Sequence, residues 1–214
     1  MKMKVAVLQT KVFADKNENL EQVKALMARE DVAACDLVTL PEMWNCPYQT
    51  ENFPIYAERE DSEFVRALAE LAKKHHVYFQ AGSIPEVDEA GHVYNTAYTF
   101  DREGKCIDKY RKVHLFDIFV KGGQVFKESD TLTAGDGFRV FDTEFGKMGV
   151  NICFDIRFPE SARIPTLYGA RILMNPGAFN MTTGPAHWEL ALPARCGEIH
   201  RGSAGRRKGR DGVS

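Results

Sequence analysis

Apolar and polar positions alternate from Lys4 to Gln9 (KVAVLQ), the two-residue period of a strand with one buried face. The period then changes. Asp15 and Glu18 stand at capping-box spacing, with Asp in the Ser/Thr role. Leu20, Val23 and Met27 follow at helical steps and predict an amphipathic helix. Leu37 to Leu40 (LVTL) predicts a short buried strand stopped by Pro41, and Phe64, Leu68 and Leu71 line one face of a second helix. Strand character returns at Val77 to Ser83. Two more strands are predicted at Val93 to Phe100 and Cys106 to Arg111, joined by the hairpin turn Asp101-Arg102-Glu103-Gly104. No period holds from His114 to Asp136, which reads as a long loop of the functional or disordered kind. Strands resume at Phe138 to Phe141, Gly149 to Cys153 and Ile172 to Asn175. Helices are predicted from near Pro159 to Tyr168, interrupted or kinked at Pro165, and near His187 to Ala194. Alternating strands and helices without an internal repeat predict an α/β protein.

A length of 214 residues suits a single core, and 44% hydrophobic with 27% charged residues excludes a disordered chain. The net charge of −2 gives no global positive field, so neither nucleic acid nor an acidic membrane is expected as a partner. No apolar run reaches the length of a membrane span and no signal-peptide core follows Lys2 and Lys4, so a cytoplasmic location is expected. Composition breaks near Cys196. Residues 196–214 hold five glycines and five basic against two acidic residues, and Ile199 and Val213 are the only large aliphatics. The division expected is a domain over 1–195 and a disordered Gly/Arg-rich tail over 196–214, without aromatic residues for stacking on bases.

Five cysteines at wide, irregular spacing do not form a disulfide framework, and the absence of a CxxC pair argues against zinc. Cys153 differs from the others in lying where a strand-like run gives way to a polar stretch, a position that presents a nucleophile at the rim of a sheet. An ordinary thiol is mostly protonated at neutral pH, so a nucleophilic role needs a base or cation nearby. Glu42, after Pro41 at the end of the LVTL strand, is a candidate base, with a solvated loop carboxylate as the alternative. Lys112, after another strand, is a candidate for stabilising a thiolate or an oxyanion, with an exposed lysine as the alternative.

Three segments then occur in order: Leu40-Pro41-Glu42, Tyr110-Arg111-Lys112-Val113-His114-Leu115 and Asn151-Ile152-Cys153-Phe154-Asp155-Ile156-Arg157-Phe158-Pro159-Glu160. Together they resemble the signatures of the nitrilase superfamily of carbon–nitrogen hydrolases, from Lys4 to about Arg195. Asn175-Pro176-Gly177-Ala178-Phe179-Asn180 and Thr182-Thr183-Gly184-Pro185-Ala186-His187-Trp188-Glu189 are similar to the omega-amidase branch. The resemblance implies a four-layer α-β-β-α sandwich. It implies Cys153 as nucleophile, Glu42 as general base, Lys112 as oxyanion stabiliser and Glu128 as a second, orienting glutamate, with neither metal nor organic cofactor. The implied reaction releases ammonia from the terminal amide of a short dicarboxylic monoamide, such as 2-oxoglutaramate or 2-oxosuccinamate, through a cysteine thioester. Arg157 is the candidate cation for the remote carboxylate, Thr183 a further donor to it, and Tyr48 and Phe179 walls of the pocket. His114 and His187 are expected to be structural. The family pattern continues past Arg195 with strands that complete one sheet and contribute to a homodimer contact, so a truncated or frameshifted reading frame is expected, with the fold incomplete at its C-terminal strands. The rival readings are another amidase or carbamoyl hydrolase of the superfamily, and an inactive fragment that serves as a binding module.

Overall fold

The structure is a computed structural model that describes residues 2–119, 125–179, 184, 187 and 190–195. The first sheet contains β1 (Val5–Val7), β2 (Leu37–Thr39), β3 (Tyr78–Val87), β4 (Val93–Phe100) and β5 (Cys106–Arg111), in that spatial order. β1, β2 and β3 run parallel, and β3, β4 and β5 form an antiparallel meander. Helices connect the parallel strands, because a parallel pair needs a crossover. They are α1 (Lys16–Met27) and the short α2 (Glu30–Ala33) before β2, then α3 (Phe53–Tyr56) and α4 (Glu63–His75) before β3. Asp15 caps α1 by accepting from the Asn17 amide at 2.8 Å. Ser62 caps α4 by accepting from the Val65 amide at 3.2 Å, and His76 ends that helix with a left-handed backbone.

The apolar stripes of both long helices face this sheet. Val23, Met27, Leu68 and Ala72 pack with Phe79 and Trp44 in one core cluster. The opposite face of the sheet packs against a second sheet, with Ala97 and Tyr110 meeting Met148, Val150 and Ile152. The second sheet holds, among the described residues, β8 (Phe141–Thr143), β9 (Gly146–Val150) and β10 (Ile172–Met174), ordered β10-β9-β8, with β9 and β10 parallel. A further helix, α5 (Pro159–Leu167), covers it. A Cβ at Gly149 on β9 would lie 3.4 Å from Pro165 Cβ. The result is the α-β-β-α layering that the resemblance implies.

Three readings of the chain change. The segment 114–136 is not a structureless loop. It carries the small hairpin of β6 (Asp117–Phe119) and β7 (Val125–Lys127) and a 3-10 turn over Glu128–Asp130. Strands of three residues with exposed Phe119 and Val125 are too short and too open to produce a readable period. The strand expected at Phe138 to Phe141 instead starts at Phe141, and its partner β9, expected at Gly149 to Cys153, runs Gly146–Val150 and stops before Cys153, which opens a 3-10 turn. Phe138 is apolar because it stacks on Tyr110 at 6.1 Å, not because it joins a sheet. The turn between β8 and β9 is closed by Thr143 Oγ1, which donates to Gly146 O and accepts from the Phe145 amide. Finally, β3 runs four residues past Ser83, through Pro85, with a register shift between Gln80 and Ser83. Residues 187 and 190–195 are helical, as expected near that position. The tail 196–214 lies outside the described residues, among which no helix is long and apolar enough to cross a membrane.

Candidate active site

Three strand ends deliver the candidate residues. β2 ends in the Pro41-Glu42 turn, which lies across the irregularity in β3. Gly82 there has φ +62°, and a Cβ on it would stand 2.1 Å from Pro41 O. Only glycine permits this approach, and it lets Ser83 N donate to Pro41 O at 3.1 Å. β5 ends in Lys112, whose amide donates to Asn95 O at 2.9 Å and whose carbonyl accepts from Gly135 N at 2.8 Å. A Cβ on Gly135 would lie 2.1 Å from Arg111 O, so this contact also requires glycine. β9 leads through Asn151 and Ile152 to Cys153, the first residue of a 3-10 turn over Cys153–Arg157. Cys153 has φ +43°, a strained conformation for a residue with a Cβ, and its amide donates to Pro176 O at 2.8 Å.

These backbones bring Glu42, Lys112 and Glu128 into one dry cluster. Lys112 Nζ stands 2.8 Å from Glu42 Oε1 and 2.9 Å from Glu128 Oε2, and all three side chains are fully buried. One ammonium between two carboxylates leaves the cluster with a net negative charge. Such a group persists in the interior only when its remaining lone pairs are satisfied. Asn95 Nδ2 donates to Glu42 Oε1 at 2.9 Å and the Ala178 amide to Glu42 Oε2 at 2.9 Å. The Tyr48 hydroxyl donates to Glu128 Oε1 at 2.6 Å, and the Phe116 amide to Glu128 Oε2 at 2.7 Å.

The charges act on one another. Burial works against the Lys112 ammonium, but the fields of Glu42 and Glu128 outweigh it and hold its pKa above the ordinary lysine range. Burial pushes the Cys153 thiol well up, and the Glu42 charge adds to this, with only partial relief from Lys112. Burial and the neighbouring Glu42 therefore favour the thiol form of Cys153, and Lys112 only partly opposes them.

Cys153 opens onto a narrow cleft lined also by Tyr48, Phe116, Phe154, Arg157, Ala178 and Phe179. The Arg157 guanidinium carbon lies 4.9 Å from the centre of the Phe154 ring and 5.8 Å from that of Phe116, and burial lowers its pKa. Of the residues singled out in the sequence, Glu42, Lys112, Glu128 and Cys153 thus converge, and Arg157, Tyr48 and Phe179 line the same cleft. Thr183 lies outside the described residues. His114 donates its amide to Asp155 Oδ1 and stacks face to face on Phe158 at 3.7 Å.

Three contributors were not foreseen. Tyr48 is more than a wall, because its hydroxyl belongs to the carboxylate cluster. Asn95 reaches Glu42 from β4, where a buried amide among Thr and aromatic residues is the visible sign. Asp155, fully buried two residues after Cys153, accepts three hydrogen bonds and pairs with His114 Nδ1.

Residues 4–201 match the carbon-nitrogen hydrolase family. With this fold and these strand ends, the chain belongs to that family. It is similar to the omega-amidase NIT2 of Mus musculus, 46% identical over 192 residues that cover 90% of this chain and 69% of that protein. Similarity to nitrilase homolog 2 of Dictyostelium discoideum is 47% over 193 residues, but the chain spans only 59% of that relative's length. The crystal structure of Saccharomyces cerevisiae Nit3, a member of branch 10 of the nitrilase superfamily, superimposes with a TM-score of 0.78 at 38% identity, covering 90% of this chain and 70% of Nit3.

Proposed function

We propose that the chain is a thiol amidohydrolase acting on the terminal amide of a short dicarboxylic monoamide, with 2-oxoglutaramate and 2-oxosuccinamate as representative substrates. The observation that carries this reading is the buried Glu42–Lys112–Glu128 cluster beside a thiol on a left-handed turn. Glu42 takes the thiol proton as Cys153 sulfur attacks the amide carbonyl, so the charge need not exist before attack. The oxyanion develops between the Lys112 ammonium and the Phe154 N–H, which sits in the first turn of a 3-10 segment, where helical geometry supplies no acceptor. Collapse expels ammonia with the proton from Glu42 and leaves a thioester. Water, deprotonated by Glu42, then attacks the thioester and releases the acid and the thiol.

Glu128 acts on Lys112 rather than on substrate, and Tyr48 both walls the cleft and supports the Glu128 carboxylate. Glu128 holds the ammonium in place, and the Tyr48 hydroxyl occupies the remaining lone pair of that carboxylate. Arg157 supplies the cation for the remote carboxylate, with Thr183 as a second donor and Phe179 as a wall of the cleft. The catalytic domain spans residues 1–195, a reading supported by Arg195, which donates from Nε to Ile156 O at 2.9 Å in the turn that carries Cys153.

Ammonia release from 2-oxoglutaramate, compared with a neutral amide of similar length, tests the reading. In Arg157→Met the specificity constant for the charged substrate should fall about ten- to a thousandfold more than for the neutral one, the range for removing a charged partner. Equal falls would remove Arg157 from substrate selection. Preference of the parent for a carbamoyl compound or a neutral amide would replace the omega-amidase reading with another amidase of the family.

A further inference from the structure

We infer that Asp155 is a positioning residue that holds the nucleophile's turn and the lysine's strand end in register. This rests on the proposed roles of Cys153 and Lys112. The Asp155 carboxylate is fully buried and reaches two segments that lie about forty residues apart in sequence. Oδ1 accepts from the His114 amide at 2.8 Å and pairs with His114 Nδ1 at 2.9 Å. Oδ2 accepts from the Tyr110 hydroxyl at 2.7 Å and from the Ile152 amide at 3.0 Å. Tyr110 and His114 are the residues two before and two after Lys112. Ile152 immediately precedes Cys153.

The clasp on the nucleophile is reciprocal. Asp155 N donates to Ile152 O at 3.0 Å while Ile152 N donates back to the Asp155 side chain. Cys153 lies inside that loop with φ +43°, a conformation that persists only where its surroundings over-determine it. One carboxylate therefore closes the strained turn and anchors the lysine segment to it. A carboxylate suits this place because its contacts include two backbone amides and a phenol, all donors, and an ionised carboxyl accepts at both oxygens. An asparagine accepts at one atom only and turns an amino group toward a donor. Asp155 touches neither substrate nor reacting atoms in this arrangement and acts through its neighbours.

The test is Asp155→Asn in the whole chain, read in two ways. The first is kcat against KM for 2-oxoglutaramate. The second is the pH dependence of Cys153 alkylation by iodoacetamide, followed on its peptide by mass spectrometry, which requires no substrate. In folded variant protein, kcat should fall about a hundredfold, the scale for a misplacement near one ångström, while KM moves less than about threefold. The alkylation profile should move toward that of an ordinary solvated cysteine as the sulfur leaves the field of Glu42. Tyr110→Phe removes one donor and spares the Ile152 clasp, so it carries the test if Asp155→Asn does not fold. It should shift the alkylation profile in the same direction by a smaller amount. A folded Asp155→Asn with unchanged kcat and unchanged alkylation profile overturns the inference, as does a folded Tyr110→Phe with an unchanged profile. If the parent releases no ammonia, the proposed substrate is wrong, yet the alkylation profiles still decide the role of Asp155.

Discussion

Lys112 illustrates how far one residue's surroundings decide the result of changing it. Removing its charge leaves Glu42 and Glu128 facing each other in a dry interior, and breaking a buried pair in this way costs about 3–5 kcal/mol. Lys112→Ala should therefore lose both turnover and stability. Glu42→Gln keeps volume and leaves Lys112 with Glu128, so it should lose turnover by about a hundredfold or more with a much smaller shift in urea midpoint. Equal destabilisation by the two variants would contradict the charge arrangement. A second buried group gives a pH signature away from the site. Burial raises the Asp108 pKa to about 6, with Arg139 only partly opposing it. An unfolded aspartate titrates near pH 4, so the folded chain holds an extra proton between these values, and the stability it confers is lost as pH rises through about 6. Asp108→Asn should be more stable than the parent by about 2 kcal/mol at pH 7, and the advantage should vanish near pH 4. Urea unfolding from pH 4 to 8 checks this, and parallel curves would refute it. At this scale, residue types at strand ends made Cys153, Glu42 and Lys112 candidates only, and their proposed roles came from the resemblance to the family signatures. The links from the Tyr48 hydroxyl to Glu128 and from the Asp155 carboxylate to Tyr110 were not legible in the sequence, because they span 80 and 45 residues.

Elements with a sustained period were the ones read correctly. α1 follows from its apolar stripe and Asp15 cap, α4 from its stripe alone, and β4 and β5 match their expected limits. The misread elements lack that support. β6, β7 and β8 are three residues each, and at Phe138 an aromatic stack imitates the apolar signal of a strand. Extension of β3 through Pro85 could not be read locally, because Asn95 on β4 supplies the pairing. The glycines that join elements carry a sharper consequence. At Gly82 both the positive φ and the approach of Pro41 O forbid a side chain. Gly82→Ala should destabilise the chain by about 2–4 kcal/mol, the range for strain at a special backbone position. It should also lower kcat by displacing Glu42. Gly91 has a similar φ but open space around it, so Gly91→Ala should pay only the local backbone strain. A thermal melt of both variants distinguishes the two cases, and equal losses would show that the Pro41 contact is unimportant.

The whole molecule puts together what no window of sequence contains. Glu42 and Lys112 stand at ends of one sheet and Cys153 beyond the end of the other, so the site forms only when the two sheets stack face to face. Its hydrogen bonds span 70 residues from Lys112 to Glu42 and 136 from Ala178 to Glu42. Periodicity cannot reveal such contacts; the expectation that Glu42, Lys112 and Cys153 act together came from the ordered family signatures. The most direct test is a rapid acid quench of the chain during turnover of 2-oxoglutaramate, followed by mass analysis of the peptide that carries Cys153. An acyl group joined to Cys153 as a base-labile thioester, and absent from Cys153→Ala, is the expected result. Ammonia release that persists in Cys153→Ala, or an adduct on a different residue, would contradict a mechanism built on this thiol.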